Sequence, residues 1–394
     1  MYIAQAFNTL HDWWRYIIGV FIIVVGVFIG QVPFTAAVMI KAFKDGKNPS
    51  ELNQSVMMSY LEPNLNLFLM LLSFAVGLVA LLLVTKYLHK QSFTQLTTSR
   101  KQIDWKRVLF IFFFWGIISS GLVIVDYYMT PENYELNFQL KPFIILCIIA
   151  IIFVPLQTSF EEYMFRGYLM QGIGVSTITK RFPLVLGYIL LVVLVLIYSN
   201  SLETISFVFG ILEFLLLFAL GVFIFNSKHI DRLMNSNIYN RIYYILRRNS
   251  TPLIITSAVF GLLHIANPEV EKLGPMIMVY YIGTGLFLGI MTLMDEGMEL
   301  SLGFHAANNL FTALLVTADW TAFQTHSILK DMSDPSETAL SEIFVPVFIV
   351  FPIILFILSR IYKWTGWKEK LFGKVEEPAL LTSEIDTIGH GTDI

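Results

Sequence analysis

Long, predominantly apolar runs recur along the chain, and about 20 such residues are what a helix needs to cross roughly 30 Å of hydrocarbon. The candidate spans are roughly 16–40, 65–85, 108–128, 143–165, 183–199, 204–225, 252–266, 275–294, 300–317 and 343–361. Hydrocarbon offers no partner to an open peptide group, so runs of this length must be helical. The expected fold class is therefore all-α, a polytopic transmembrane helical bundle of about 8–10 spans. The stretches 183–199 and 252–266 are short enough to be partly re-entrant. Charged residues make up 14% of the 394 positions, where a soluble domain has about a quarter.

The loops suggest an orientation, because cytoplasmic loops concentrate Lys and Arg. Loop 86–107 carries Lys86, Lys90, Arg100, Lys101, Lys106 and Arg107; loop 226–251 carries Lys228, Arg232, Arg241, Arg247 and Arg248. The segment after 360 is equally basic, whereas 318–342 is acidic. Ten spans with both termini inside place every basic loop on one face except that around Lys41, Lys44 and Lys47. The expected location is a bacterial cytoplasmic membrane, multi-pass, with both termini cytoplasmic. Trp13, Trp14, Trp105, Tyr127, Tyr128, Trp364 and Trp367 fit interfacial anchoring. A net charge of −3 without a basic arm argues against a nucleic-acid partner. The single cysteine, Cys147, excludes intramolecular disulfides and multi-cysteine zinc sites.

Three polar clusters interrupt the apolar runs: Glu161-Glu162-x-x-x-Arg166, Phe260-x-x-x-His264 and His305-x-x-x-Asn309. Ionisable groups inside a membrane cost several kcal/mol each and mark function by default. Glu162 and Arg166, four apart, share a helix face and can neutralise each other, while Glu161 points about 100° away and is left to act as a base. The plainer reading is an interfacial charge pair. His264 precedes Asn267-Pro268, a helix stop, and a plain capping role is the competing reading; Phe260 shares its face. His305 and Asn309 share a face beside Gly303, Ala306 and Ala307, where close helix approach is possible; the competing reading is polar glue between helices. Asn308 points elsewhere and reads as structural. A carboxylate can activate water, and imidazole and amide groups can stabilise an oxyanion. Glu161, His264 and His305 are equally a possible zinc ligand set, so the cofactor is either none or a divalent metal such as zinc.

The order of these motifs resembles the CAAX-protease and bacteriocin-processing (Abi) family of intramembrane proteases, whose best-known members are CAAX prenyl endopeptidases. Phe165-Arg166-Gly167 and Gly285-x-x-x-Gly289 extend the likeness, which covers roughly 143–317. The resemblance implies an active site within the membrane between helices. There Glu161 activates water, assisted by His264. His305 and Asn309 form an oxyanion site, and Glu162, Arg166 and Phe260 support it. Family members are described both as metalloproteases and as metal-independent glutamate proteases. The gap of about a hundred residues between the first and second motifs exceeds the few tens usual in the family, and holds two additional apolar stretches.

These readings divide the chain into N-terminal spans (1–142), a catalytic core (143–317) with inserted hydrophobic stretches at 183–250, an acidic loop and last span (318–375), and a disordered tail (376–394). The loops 89–107 and 318–342 are the candidate gates. Glu161 falls near the cytoplasmic end of its span and His264 nearer the opposite end, so a helix break at Pro155 or a re-entrant 252–266 is needed to bring them together. The function expected is a membrane endopeptidase acting on a peptide or lipidated-protein substrate in the lipid bilayer. The alternative is a non-catalytic scaffold or bacteriocin-immunity protein of the same fold. A transporter would show internal repeats and polar residues spread along several spans, and neither is seen.

Overall fold

The computed structural model describes residues 1–48, 52, 54–200, 207–335 and 340–378. Each of the ten expected stretches is helical over most of its described length. Among the described residues, seven helical stretches are long and apolar enough to cross a membrane: Trp13–Lys44, Pro63–Leu88, Trp105–Met129, Leu140–Ser176, Phe182–Ser199, Pro275–Asp295 and Leu340–Ile361. The helices that build the bundle are α1 (Trp13–Lys44), α2 (Pro63–Leu83), α3 (Trp105–Met129), α4 (Leu140–Glu162), α5 (Met170–Ser176), α6 (Phe182–Asn200), α7 (Phe207–Asn226), α8 (Ser250–Leu262), α9 (Met278–Asp295), α10 (Glu299–Leu315) and α11 (Phe351–Ile361). Most of the tail expected to be disordered, 379–394, lies outside the described residues.

Helix α10 is central, packed along α3 and α4 and against α9; α2 joins α1 to α4, and α8 lies along α9. Gly303 permits the closest of these approaches, since a Cβ there would collide with the Val108 carbonyl oxygen of α3. Close backbone approach is how membrane helices gain contact where lipid is as apolar as leucine. By contrast, the most apolar stretch of α6 has no residue buried. Tyr188 ties α6 to α7: its hydroxyl donates to the Leu217 carbonyl at 2.6 Å, and its ring lies edge-on to Phe225. Helices α6 and α7 thus pack on each other as a hairpin.

The break expected at Pro155 does not occur. Helix α4 runs through the proline, and the Thr158 hydroxyl donates to the carbonyls of Val154 (3.2 Å) and Pro155 (3.3 Å). Beyond Glu162 the rod widens into a π-helical segment, Tyr163–Leu169, and continues as α5. A rod of 37 residues places Glu161 in its interior rather than at its end. Helix α8 has only 13 residues, about 20 Å, and stops short of a full crossing. Rod length and a short α8, not a kink, bring the second motif level with the first.

The two ends of the bundle are closed differently. At one end the N-terminus, the 89–104 loop, the α9–α10 turn and the segment 364–375 interlock. Buried Asp295 accepts from Arg100 (2.9 Å), Arg107 (2.5 Å) and the Trp364 indole N–H (2.9 Å). Buried Glu299 accepts from Arg100 at 3.1 Å. Trp364, expected as an interfacial anchor, is instead 9% exposed inside this clasp. At the other end, β1 (Tyr134–Leu136), β2 (Val316–Thr317) and β3 (Leu329–Asp331) form a small sheet in the order β1-β3-β2, which the all-α reading did not foresee. His326 Nε2 donates to Glu62 there at 2.9 Å.

Candidate active site

The first and third motifs meet in the interior. Glu162 is fully buried, and its Oε1 accepts from Arg166 Nη1 at 3.1 Å and from His305 Nδ1 at 2.9 Å. Arg166, 1% exposed, donates its other arm to the Gly285 carbonyl at 3.2 Å and lies over the Phe260 ring, 4.3 Å from its centroid. Phe260 therefore serves the guanidinium as much as His264, whose ring centroid is 4.8 Å away. Gly285 has a second role: a Cβ there would press on the Ser257 carbonyl oxygen of α8. The expected Glu162–Arg166 pairing is present within one rod, and its further contacts reach α8, α9 and α10.

Glu161, 7% exposed, turns to the other side. Its Oε1 accepts from Gln157 Nε2 at 2.6 Å, and its Oε2 has no hydrogen-bond partner among the described residues and lies 3.5 Å from His305 Nε2. One imidazole thus faces both acids, one through each nitrogen. Asn309 Nδ2 donates to Gln157 Oε1 at 3.3 Å, which leaves a second N–H on that amide. Asn309 Oδ1 accepts from Asn308, whose own Oδ1 accepts from Trp115 Nε1 at 3.1 Å. Gln157 was missed in the sequence; the available signal was its place four residues before Glu161, the spacing that also pairs Glu162 with Arg166.

His264 is near this group without joining it. Half-buried just past the end of α8, it donates Nδ1 to the Phe260 carbonyl at 2.8 Å and stacks on Tyr281, with ring centroids 4.5 Å apart. Nε2 then carries the lone pair. Phe260 stands between the histidines, 6.1 Å from His305. Glu269, on the short helix Pro268–Leu273 beyond His264, accepts from the Ala322 N–H at 2.8 Å; burial raises its carboxyl above the usual range despite that bond.

A zinc ion would need three close donors here. Glu161 and His305 face each other, but His264 is committed to Phe260 and Tyr281. Among the described residues no three His, Cys, Asp or Glu side chains gather as a metal-binding group. As arranged, Glu161, His264 and His305 do not form a ligand set.

Comparison with known proteins bears on the same residues. No solved structure matches the chain. The uncharacterized protein YyaK of Bacillus subtilis (strain 168) is 24% identical over 312 residues, 79% of each chain. A family model described as type II CAAX prenyl endopeptidase Rce1-like matches residues 236–311, which hold the second and third motifs. The first motif lies outside that match, separated from it in sequence by the α6–α7 hairpin. Over 236–311 this multi-pass membrane protein is thus similar to the type II CAAX prenyl endopeptidase Rce1-like family, and the match takes in the second and third of its motifs.

Proposed function

We propose that the chain is an intramembrane endopeptidase that hydrolyses a peptide bond near the C-terminus of a lipidated or unlipidated protein, or in a peptide precursor, with Glu161 activating the water. The observation that carries this reading is the unpartnered Oε2 of Glu161, buried and turned toward His305 Nε2 at 3.5 Å. A buried carboxylate oxygen left open is costly unless something else fills the place, and a water molecule about to react is one such occupant. The geometry of the imidazole points the same way: both ring nitrogens of His305 face carboxylates, Nδ1 toward Glu162 and Nε2 toward Glu161, so both are placed to donate.

In this scheme water on Oε2 gives its proton to Glu161 as its oxygen bonds to the substrate carbonyl carbon. The resulting oxyanion accepts from His305 Nε2–H and the free N–H of Asn309. Glu161 then passes the proton to the leaving amine as the C–N bond breaks. Glu162 holds His305 through Nδ1, Arg166 holds Glu162, and His264 offers Nε2 from the rim to orient water or the leaving group. The basic face of the bundle is cytoplasmic, with both termini there, in keeping with the basic loops that interlock at one end.

The test is cleavage of a quenched farnesylated C-terminal peptide by purified protein, wild type beside Glu161→Gln, with and without chelator. Cleavage that disappears in the variant and ignores chelator is the expected result. Loss of cleavage with chelator would replace the glutamate mechanism with a metal one. No cleavage of this or an unlipidated peptide by well-folded protein would turn the reading toward a scaffold or immunity role.

A further inference from the structure

We propose that Trp115 and Gln157 are positioning residues, the two ends of a directional relay of side-chain N–H groups that orients both Glu161 and Asn309. The inference rests on the endopeptidase reading and adds two residues to it. The relay crosses three helices. Trp115 Nε1 on α3 donates to Asn308 Oδ1 on α10 at 3.1 Å, and Asn308 Nδ2 donates to Asn309 Oδ1 at 3.2 Å. Asn309 Nδ2 donates to Gln157 Oε1 on α4 at 3.3 Å, and Gln157 Nε2 donates to Glu161 Oε1 at 2.6 Å.

Its direction follows from chemistry at one end. An indole N–H can donate and cannot accept. Asn308 must therefore present its oxygen to Trp115 and its amide nitrogen to Asn309, and each later amide inherits the same sense. Two consequences reach the site. First, Asn309 turns N–H groups, not its carbonyl oxygen, away from Asn308, as an oxyanion requires; reversed, its oxygen would oppose the developing charge. Second, the last torsion of a glutamate is broad and nearly two-fold, so only hydrogen bonds distinguish its oxygens. Gln157 occupies Oε1 and leaves Oε2 as the oxygen facing His305. Trp115 and Gln157 are 7% and 5% exposed, so water does not readily replace either donor. The indole is itself held by stacking on Phe304, with ring centroids 4.7 Å apart.

The test is a double-mutant cycle with Trp115→Phe, which keeps the ring and removes the N–H, and Gln157→Leu. Gln157→Leu is expected to lower kcat on the order of tenfold, the weight of a hydrogen bond to a charged group, with KM unchanged. Trp115→Phe acts only through the relay, so it should lower kcat by less and add nothing in the double variant. Additive losses, or losses in KM alone, would make both residues merely structural and overturn the proposal. A second readout is independent of cleavage: the infrared carboxylate band that Glu161→Gln removes should shift in both variants. If wild type cleaves nothing, the endopeptidase reading fails, and this band still decides the relay; unchanged in both, it refutes it. Should Gln157→Leu not fold, Trp115→Phe carries both readouts, and an unchanged kcat with an unchanged band overturns the proposal.

Discussion

Glu161→Gln and Glu162→Gln make the same chemical change one residue apart, and their consequences should differ in kind. Glu162 is fully buried against an Arg166 that is itself 1% exposed, at 3.1 Å. Removing its charge leaves a guanidinium in an apolar interior without its hydrogen-bonded counter-ion, and breaking a buried pair from one side costs about 3–5 kcal/mol. The Gly285 carbonyl and the Phe260 face still receive the guanidinium, so the low end, about 3 kcal/mol, is expected. Glu161 is not hydrogen-bonded to a guanidinium, and a glutamine there can still accept from Gln157 through its amide oxygen. Its loss should change stability by less than about 1 kcal/mol while ending turnover. Unfolding in detergent, followed beside peptide cleavage, reads both quantities. Adding Arg166→Met to Glu162→Gln removes the stranded charge and should recover most of the lost stability. Equal stabilities for the two single variants would refute the reasoning. So would a well-folded, inactive Glu162→Gln beside an active Glu161→Gln, which would exchange the roles of the two acids.

Two further outcomes test the frame. Gly303→Val drives a side chain into the Val108 carbonyl and should destabilise by about 1–3 kcal/mol or more, as overpacking does, whereas Gly187→Val on α6, with open space around it, should change little; thermal unfolding of the pair checks this. Burial alone would raise the Glu62 carboxyl, but the N–H groups of Leu65 and Asn64 and the His326 imidazole bring it below the usual range. A carboxyl lowered in the folded state contributes stability above its unfolded value of about 4.3, lost as pH falls through the folded value. Unfolding measured from pH 6 downward should therefore fall less steeply for Glu62→Gln than for wild type.

The fold class was legible because a bilayer forces helicity on any long apolar run, and each of the ten stretches is helical over most of its described length. The three motifs were legible because ionisable groups in such runs are rare and their i, i+4 spacing fixes a shared face. Glu162 with Arg166 needed nothing more. Spacing within one helix could not reveal that His305 would bridge both acids, since its partners lie 143 and 144 positions away and meet it only through the packing of α10 on α4. Nor could it show that Pro155 leaves its helix unbroken, because Thr158 and neighbouring helices stabilise what a proline in isolation would disrupt. Gln157 and Trp115 look like ordinary residues in a list; their roles exist only where α3, α4 and α10 converge. Local chemistry and the solvent determined which segments are helices and which side chains are expensive to bury. Tertiary packing alone decided which of those side chains meet, because partners far apart in sequence are chosen by shape and charge complementarity between helices.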